Sequence, residues 1–163
     1  MNNIIGIDPG VTGALVAVHL DGKLEDWMLM PTYKDGRRHR TDLNAVQEFI
    51  ERNCWTRGRV FVEKVGPMPG DTPMTAWTFG ANEAIVVAAA RYHGVEFIQP
   101  KKWQAALLHG MPRSGRGQIK KSAVKAAIGL HPELEATMKL KKNWGVADAA
   151  CIAELGRRIV YAK

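Results

Sequence analysis

Ile4-Ile5-Gly6-Ile7-Asp8-Pro9-Gly10-Val11-Thr12-Gly13-Ala14 decides how the rest of this chain is read. An apolar run without polar alternation suits a strand covered on both faces. Asp8 falls where that strand ends, at the mouth of a sheet. Pro9-Gly10 forces a turn, and Gly10 and Gly13 let backbone or ligand approach closely. Two readings follow: Asp8 caps the turn, or it is the first of several carboxylates that hold a divalent metal against a DNA phosphate.

Outward from there, Gly13–Leu20 reads as a second strand. Asp21-Gly22 is a hairpin signal, and Lys23–Met30 follows as a third strand, so the chain opens as an antiparallel meander. Pro31–Thr41, rich in Lys and Arg, is expected to be a solvated loop. Thr41 or Asp42 caps a helix to about Cys54, with Leu43, Val46, Phe49 and Ile50 at helical spacing. Arg59–Glu63 repeats the opening pattern: an apolar strand, an acid at its exit, then a Gly/Pro loop. A helix from about Met74 to Gly94 has so apolar a middle, Ala84–Ala90, that it should be largely buried. Val95–Ile98 is a fifth strand. Short helices are expected at Lys101–Leu108, Ile119–Ile128 and after His131, and a last helix from Val146 to about Tyr161. The pattern predicts one α/β domain over residues 1–163, with a mixed five-stranded sheet flanked by helices. If the fourth strand lies parallel to the first and beside it, Asp8 and Glu63 become neighbours at one edge.

Residues 1–100 carry 10 Lys/Arg and 12 Asp/Glu, whereas residues 101–163 carry 13 and 4. The second part is therefore the electropositive one, and with a sequence pI near 9.6 it fits a phosphate-rich partner. The basic residues are scattered over loops and helices, not gathered on an amphipathic stripe, which argues against a membrane surface. No run is long enough to span a bilayer and no secretory signal is visible, so a cytoplasmic protein is expected. Cys54 and Cys151 read as reduced core thiols.

Asp148, in Ala147-Asp148-Ala149, is a third acid, expected in the first turn of the last helix and on its inward face. Asp8, Glu63 and Asp148 come from three elements. Their convergence would be unfavourable without a cation. Two Mg²⁺ ions about 4 Å apart would offset that repulsion and flank a phosphate in line with an attacking water. Oxygen ligands without a His/Cys cluster suit Mg²⁺, with Mn²⁺ as a substitute, and not zinc.

These motifs, in order, resemble the RuvC-type Holliday junction resolvases. They are Gly6-Ile7-Asp8-Pro9-Gly10 with Thr12-Gly13, Val62-Glu63, Pro100-Lys101-Lys102-Trp103, Lys120-Lys121-Ser122 and Ala147-Asp148-Ala149. Met68-Pro69-Gly70, Phe79-Gly80 and Ala153–Arg158 are most similar to the short RuvC-like proteins of bacteriophages. The resemblance implies an RNase H-like fold, a homodimer, and metal-dependent nicking of four-way junctions and other branched DNA that leaves 5′-phosphate ends. It implies that Asp8, Glu63 and Asp148 bind metal and that a lysine opening the fourth helix stabilises the transition state. Lys121 is the first choice for that lysine and Lys120 the second; a solvated basic turn is the other reading of the pair.

The family also places an Asp or His three or four residues before its last Asp. Here those positions are Gly145 and Trp144, which leaves Asn143 as the nearest oxygen donor and Glu154 as a remote one. Lys101, Lys102, Arg113, Arg116, Lys139, Lys141 and Lys142 are candidate phosphate contacts. Met68 is either a wedge into the junction or an exposed loop methionine. Trp77 and Phe79 read as core or dimer-interface residues; Trp103 and Trp144 stay open. The competing functions are a junction-binding protein that cuts poorly, and an actin-like or sugar-kinase-like phosphate binder. The latter folds also begin with an Asp-Gly-Thr-Gly hairpin but need a second domain.

Overall fold

The opening apolar run forms the central strand of a five-stranded sheet. The computed structural model describes residues 3–36, 38–54, 59–66 and 70–162. Strands β1 (Asn3–Asp8), β2 (Ala14–His19) and β3 (Leu24–Leu29) form the expected antiparallel meander. After β4 (Thr32–Asp35), β5 (Arg38–Thr41) and helix α1 (Leu43–Asn53), strand β6 (Arg59–Glu63) returns parallel to β1. Helix α2 (Pro73–Ala89) then leads to β7 (Gly94–Ile98), parallel to β6, so the sheet order is β3-β2-β1-β6-β7. Helices α3 (Pro100–Leu107), α4 (Arg116–Leu130), α5 (Glu135–Met138) and α6 (Trp144–Tyr161) complete the chain. Among the described residues, no helix is long and apolar enough to cross a membrane. Cys54 and Cys151 are buried free thiols.

Side chains alternate across the sheet. Ile4, Val16, Val18 and Phe61 face one core, built with α3, α4 and α6; Ile5, Ile7, Leu15, Val60 and Val62 face the other, built with α1 and α2. By the same alternation, Gly6 and Asp8 on β1, and Phe61 and Glu63 on β6, point toward α6. Helix α6 lies directly on the backbone of β1: a Cβ at Gly6 would meet Ala149 O and Ala153 N at 2.3 Å. Gly156 gives way to the Phe61 ring in the same manner, at 2.3 Å.

Several expectations change. Pro31–Thr41 is not a loop: β4 and β5 pair as a hairpin, with Gly36 (φ 60°) following β4; Arg37 lies outside the described residues. An Asp35–Arg40 ion pair and a Thr41–Asn82 hydrogen bond of 3.1 Å tie the hairpin together and to α2. Helix α2 ends at Ala89 and is not largely buried; only Asn82, Val86 and Ala89 are. Helix α4 begins at Arg116, three residues before the expected Ile119, and α6 begins at Trp144, two residues before the expected Val146. Asp148 is therefore its fifth residue, beyond the first turn, where the helix dipole contributes little.

Candidate active site

Parallel pairing of β1 and β6 runs to Ile7 opposite Val62, and one residue later each strand ends in its acid. The glycine contact at Gly6 brings α6 down onto β1 and sets Asp148 over the same edge. Asp8, Glu63 and Asp148 lie within electrostatic reach of one another. Asp8 Oδ1 accepts the Gly10 backbone N–H at 3.1 Å. Glu63 Oε1 accepts the indole N–H of Trp103 at 2.8 Å. Asp148 Oδ2 takes an ion pair from the Lys120 ammonium, while its Oδ1 is buried without a partner.

Burial raises the Asp8 carboxyl above the usual range, against the charges of Lys120 and Arg116 and the Gly10 N–H. Burial and then the charge of Asp8 push Glu63 up to about 7, with the Trp103 hydrogen bond opposing. Burial pushes Asp148 up to about 6, opposed first by Lys120. Burial would lower Lys120, but the charge and hydrogen bond of Asp148 outweigh it and the ammonium is held above its ordinary value. This is a basin of acids that repel each other in a dry setting, with one ammonium drawn in to compensate.

Lys120, the second choice of the sequence, is the lysine that reaches the acids. Lys121 is exposed and lines a separate cavity with Met111, Pro112 and Ser122. A signal was present: Ala123 and Ala127 are buried on α4, three and seven residues after Lys120, which puts Lys120 on the packed stripe. Trp103, left open by the sequence, is buried at 1% exposure and fixes Glu63. No local pattern reveals a contact that spans 40 residues of chain.

The expected fourth-ligand positions contribute no donor. A Cβ at Gly145 would sit 2.4 Å from Thr12 O and 2.8 Å from Gly13 Cα, so no longer side chain fits. Trp144 donates its indole N–H to Met138 O at 3.1 Å. Asn143 is buried, with its amide nitrogen donating to Thr137 O at 3.0 Å. Glu154 is paired with Arg157 and Arg158 and is no part of the basin. Among the described residues, no group of three or more His, Cys, Asp or Glu side chains forms a ready metal site. The donor chemistry nevertheless fits a hard cation: carboxylates only, one with an orphaned buried oxygen.

Beside the acids opens a cleft of about 550 Å³, lined in part by Thr12, Gly13, Lys120, Lys141, Lys142 and Trp144. Arg116 is exposed at the start of α4, and its charge reaches Asp8 and Asp148. Lys101 and Lys102 are exposed at the start of α3, and Lys139 before the cleft; Arg113 is exposed and donates to Gln104 O at 3.4 Å. Met68 and its neighbours Pro67 and Pro69 lie outside the described residues.

No family model matches the sequence, and no curated protein matches it. Solved structures do match. RuvC of T. thermophilus in complex with a Holliday junction substrate is 18% identical, with a TM-score of 0.65 over 99% of this chain and 95% of that one. A second T. thermophilus RuvC structure is 20% identical, with a TM-score of 0.64 over 98% and 95%. The yeast mitochondrial Holliday junction resolvase Ydc2 is 18% identical, with a TM-score of 0.54 over 92% and 75%. The mixed sheet and its flanking helices are thus the RNase H-like fold of those proteins.

Proposed function

We propose that this chain is a structure-selective endonuclease that nicks four-way junctions and other branched DNA by metal-dependent hydrolysis, leaving 5′-phosphate ends. The observation that carries the reading is the meeting of Asp8, Glu63 and Asp148 with Lys120 at one sheet edge, beside a lysine-lined cleft. The fold shared with junction resolvases supports the substrate class. Asp8, Glu63 and Asp148 would hold Mg²⁺, with Mn²⁺ as a substitute. A divalent ion there supplies Lewis-acid stabilisation of the phosphate and a more acidic water.

Trp103 and the Gly10 N–H orient their carboxylates before substrate arrives, so little reorganisation accompanies reaction. The ammonium of Lys120 neutralises charge that develops on the scissile phosphate. Lys141, Lys142 and Arg116 bind backbone phosphates along the cleft, which positions DNA without reading its sequence. Lys101, Lys102, Arg113 and Lys139 extend that track, and Met68 enters the junction as an apolar wedge. Two copies act together as a homodimer through the open face of α2, in the cytoplasm. The Met68-Pro69-Gly70 and Phe79-Gly80 motifs are the basis for setting the chain beside the short bacteriophage proteins.

The test is incubation with a labelled four-way junction, a matched duplex and an RNA–DNA hybrid, each with Mg²⁺, Mn²⁺ or chelator. Paired symmetric nicks in the junction alone, lost on chelation and in Asp8→Asn, are expected. Binding without nicks would favour a junction-binding protein. The specific observation behind that second reading is the missing fourth ligand at Trp144 and Gly145.

A further inference from the structure

The space between α2 and the β4–β5 hairpin has no part in the chemistry described above. It is a cavity of about 280 Å³, walled in part by Val11, Arg38, Arg40, Trp77, Ala81 and Asn82. That is just under the usual size of a ligand pocket, about 300–1,000 Å³, and suits one flat ring. The wall is mostly apolar. Trp77 is half exposed, and the Arg40 guanidinium lies over its ring, 5.7 Å from the centroid. Asp35 pairs with that guanidinium and holds it there. Arg38 is exposed beside it.

Two further observations narrow the kind of ring. Asn82 is only 4% exposed. Its Oδ1 accepts the Thr41 hydroxyl at 3.1 Å, but its Nδ2 is buried without an acceptor among the described residues. An unmet buried donor is costly, so this wall is short of one acceptor. In addition, Val11 walls both this cavity and the cleft beside the acids. It lies in the turn that follows Asp8, so the two spaces meet next to the candidate active site. Whatever fills the cleft can also supply the occupant of the cavity. A nucleobase offers a flat π-face to Trp77, an acceptor on its edge to Nδ2, and its own phosphate to Arg38. An apolar side chain from a second copy would fill the wall and leave Nδ2 unmet.

We propose that this cavity receives one unstacked base of the DNA strand that lies in the cleft. The proposal rests on the branched-DNA reading above and deepens it. A base at a branch point has weakened stacking and pairing, so turning it out costs less than in a continuous duplex. The cavity thereby favours branched over linear DNA, at a place distinct from the acids. Trp77 stacks on the base, Asn82 donates to its edge, and Arg38 holds the adjoining phosphate.

The experiment measures four-way junction binding by the full chain in chelator, with a single abasic site moved through the nucleotides that flank the crossover. Loss of one particular base should weaken binding about tenfold, the size of one base stacked on an aromatic ring. Ala81→Leu fills the cavity. It should bind the intact junction about tenfold more weakly and be indifferent to the abasic site, so that the two losses do not add. Asn82→Asp keeps the acceptor for Thr41 and removes the donor; it should lose about fivefold on the intact junction and less on the abasic one. Thermal melting establishes that both variants fold, and Asn82→Asp carries the comparison if Ala81→Leu does not. If no abasic position costs more than about threefold, or if Ala81→Leu stays as sensitive as the parent chain, the cavity takes no base and the branched-DNA reading stands. If the parent chain binds no junction, both fall. If Ala81→Leu loses self-association in sedimentation and keeps its sensitivity to the abasic site, a second copy fills the cavity instead.

Discussion

The two faces of the sheet are covered in opposite ways. On one, α6 rests on bare backbone: Gly6 beneath Ala149 and Ala153, Gly156 against Phe61, Gly145 against Thr12. Every residue from Gly145 to Gly156 is buried. On the other, α2 crosses with only three buried residues, while Met74 and Trp77 stand about half exposed. A cavity of about 280 Å³ lies between α2 and the β4–β5 hairpin, with Arg40 over the Trp77 ring. The tight face holds the acids in register; the open face leaves Met74 and Trp77 uncovered. The three acids and the uncovered apolar side chains of α2 thus lie on opposite sides of one sheet.

The sharpest way to break this contrast is to add a methyl on the tight face. Gly6→Ala would drive a Cβ into two backbone atoms of α6, and backbone cannot rotate away. Overpacking of this kind commonly costs about 1–3 kcal/mol, and the rigid neighbours place Gly6→Ala at or above the top of that range. Urea unfolding measures it, with junction nicking lost in parallel. Next comes Asp8→Asn. It should lower nicking by at least about 100-fold and leave thermal stability unchanged or raised in chelator, because it removes a buried charge that repels Glu63 and Asp148.

Trp103→Phe should be milder. It keeps the packing but releases Glu63 Oε1, so nicking should fall about tenfold and half-maximal rate should require more Mg²⁺. On the open face, Trp77→Ala should weaken self-association by about thirtyfold in sedimentation and change unfolding by less than about 1 kcal/mol. If Trp77→Ala costs as much stability as Gly6→Ala, the two faces do not differ as described.

How much of this was legible in the sequence follows the same division. Strand ends that terminate in acids and the Asp21-Gly22 hairpin are local patterns; the parallel return of the fourth strand stood in the sequence only as a condition, which the pairing of Ile7 with Val62 meets. The face of α4 was also written locally, in Ala123 and Ala127, yet Lys120 and Lys121 differ by one residue and a turn of about 100°, so the register had to be read from the packing. Trp103 and Gly145 act across distances that no local pattern encodes. The apolar middle of α2 was read as buried because hydrophobicity does not specify which molecule covers it. The β4–β5 hairpin was missed because its charged strands lack the alternation that marks a half-buried sheet.

The smallest expected effect is a dependence of stability on pH in the absence of metal. Asp8, Glu63 and Asp148 are all held above their ordinary values, Glu63 at about 7 and Asp148 at about 6. Below the folded values and above the unfolded ones, the native chain carries protons that the unfolded chain does not. Stability therefore falls as pH rises through that window. From pH 5 to pH 8 in chelator, the thermal midpoint should decline. His131 opposes the trend: burial lowers its value from 6.5, so the unfolded chain takes that proton first, and stability is lost as pH falls below 6.5. His131→Leu should accordingly steepen the decline between pH 5 and pH 8. Excess Mn²⁺ should flatten it, since a bound cation makes ionised carboxylates favourable on the tight face. A midpoint that rises toward pH 8 in chelator would mean that the three acids do not share one dry basin.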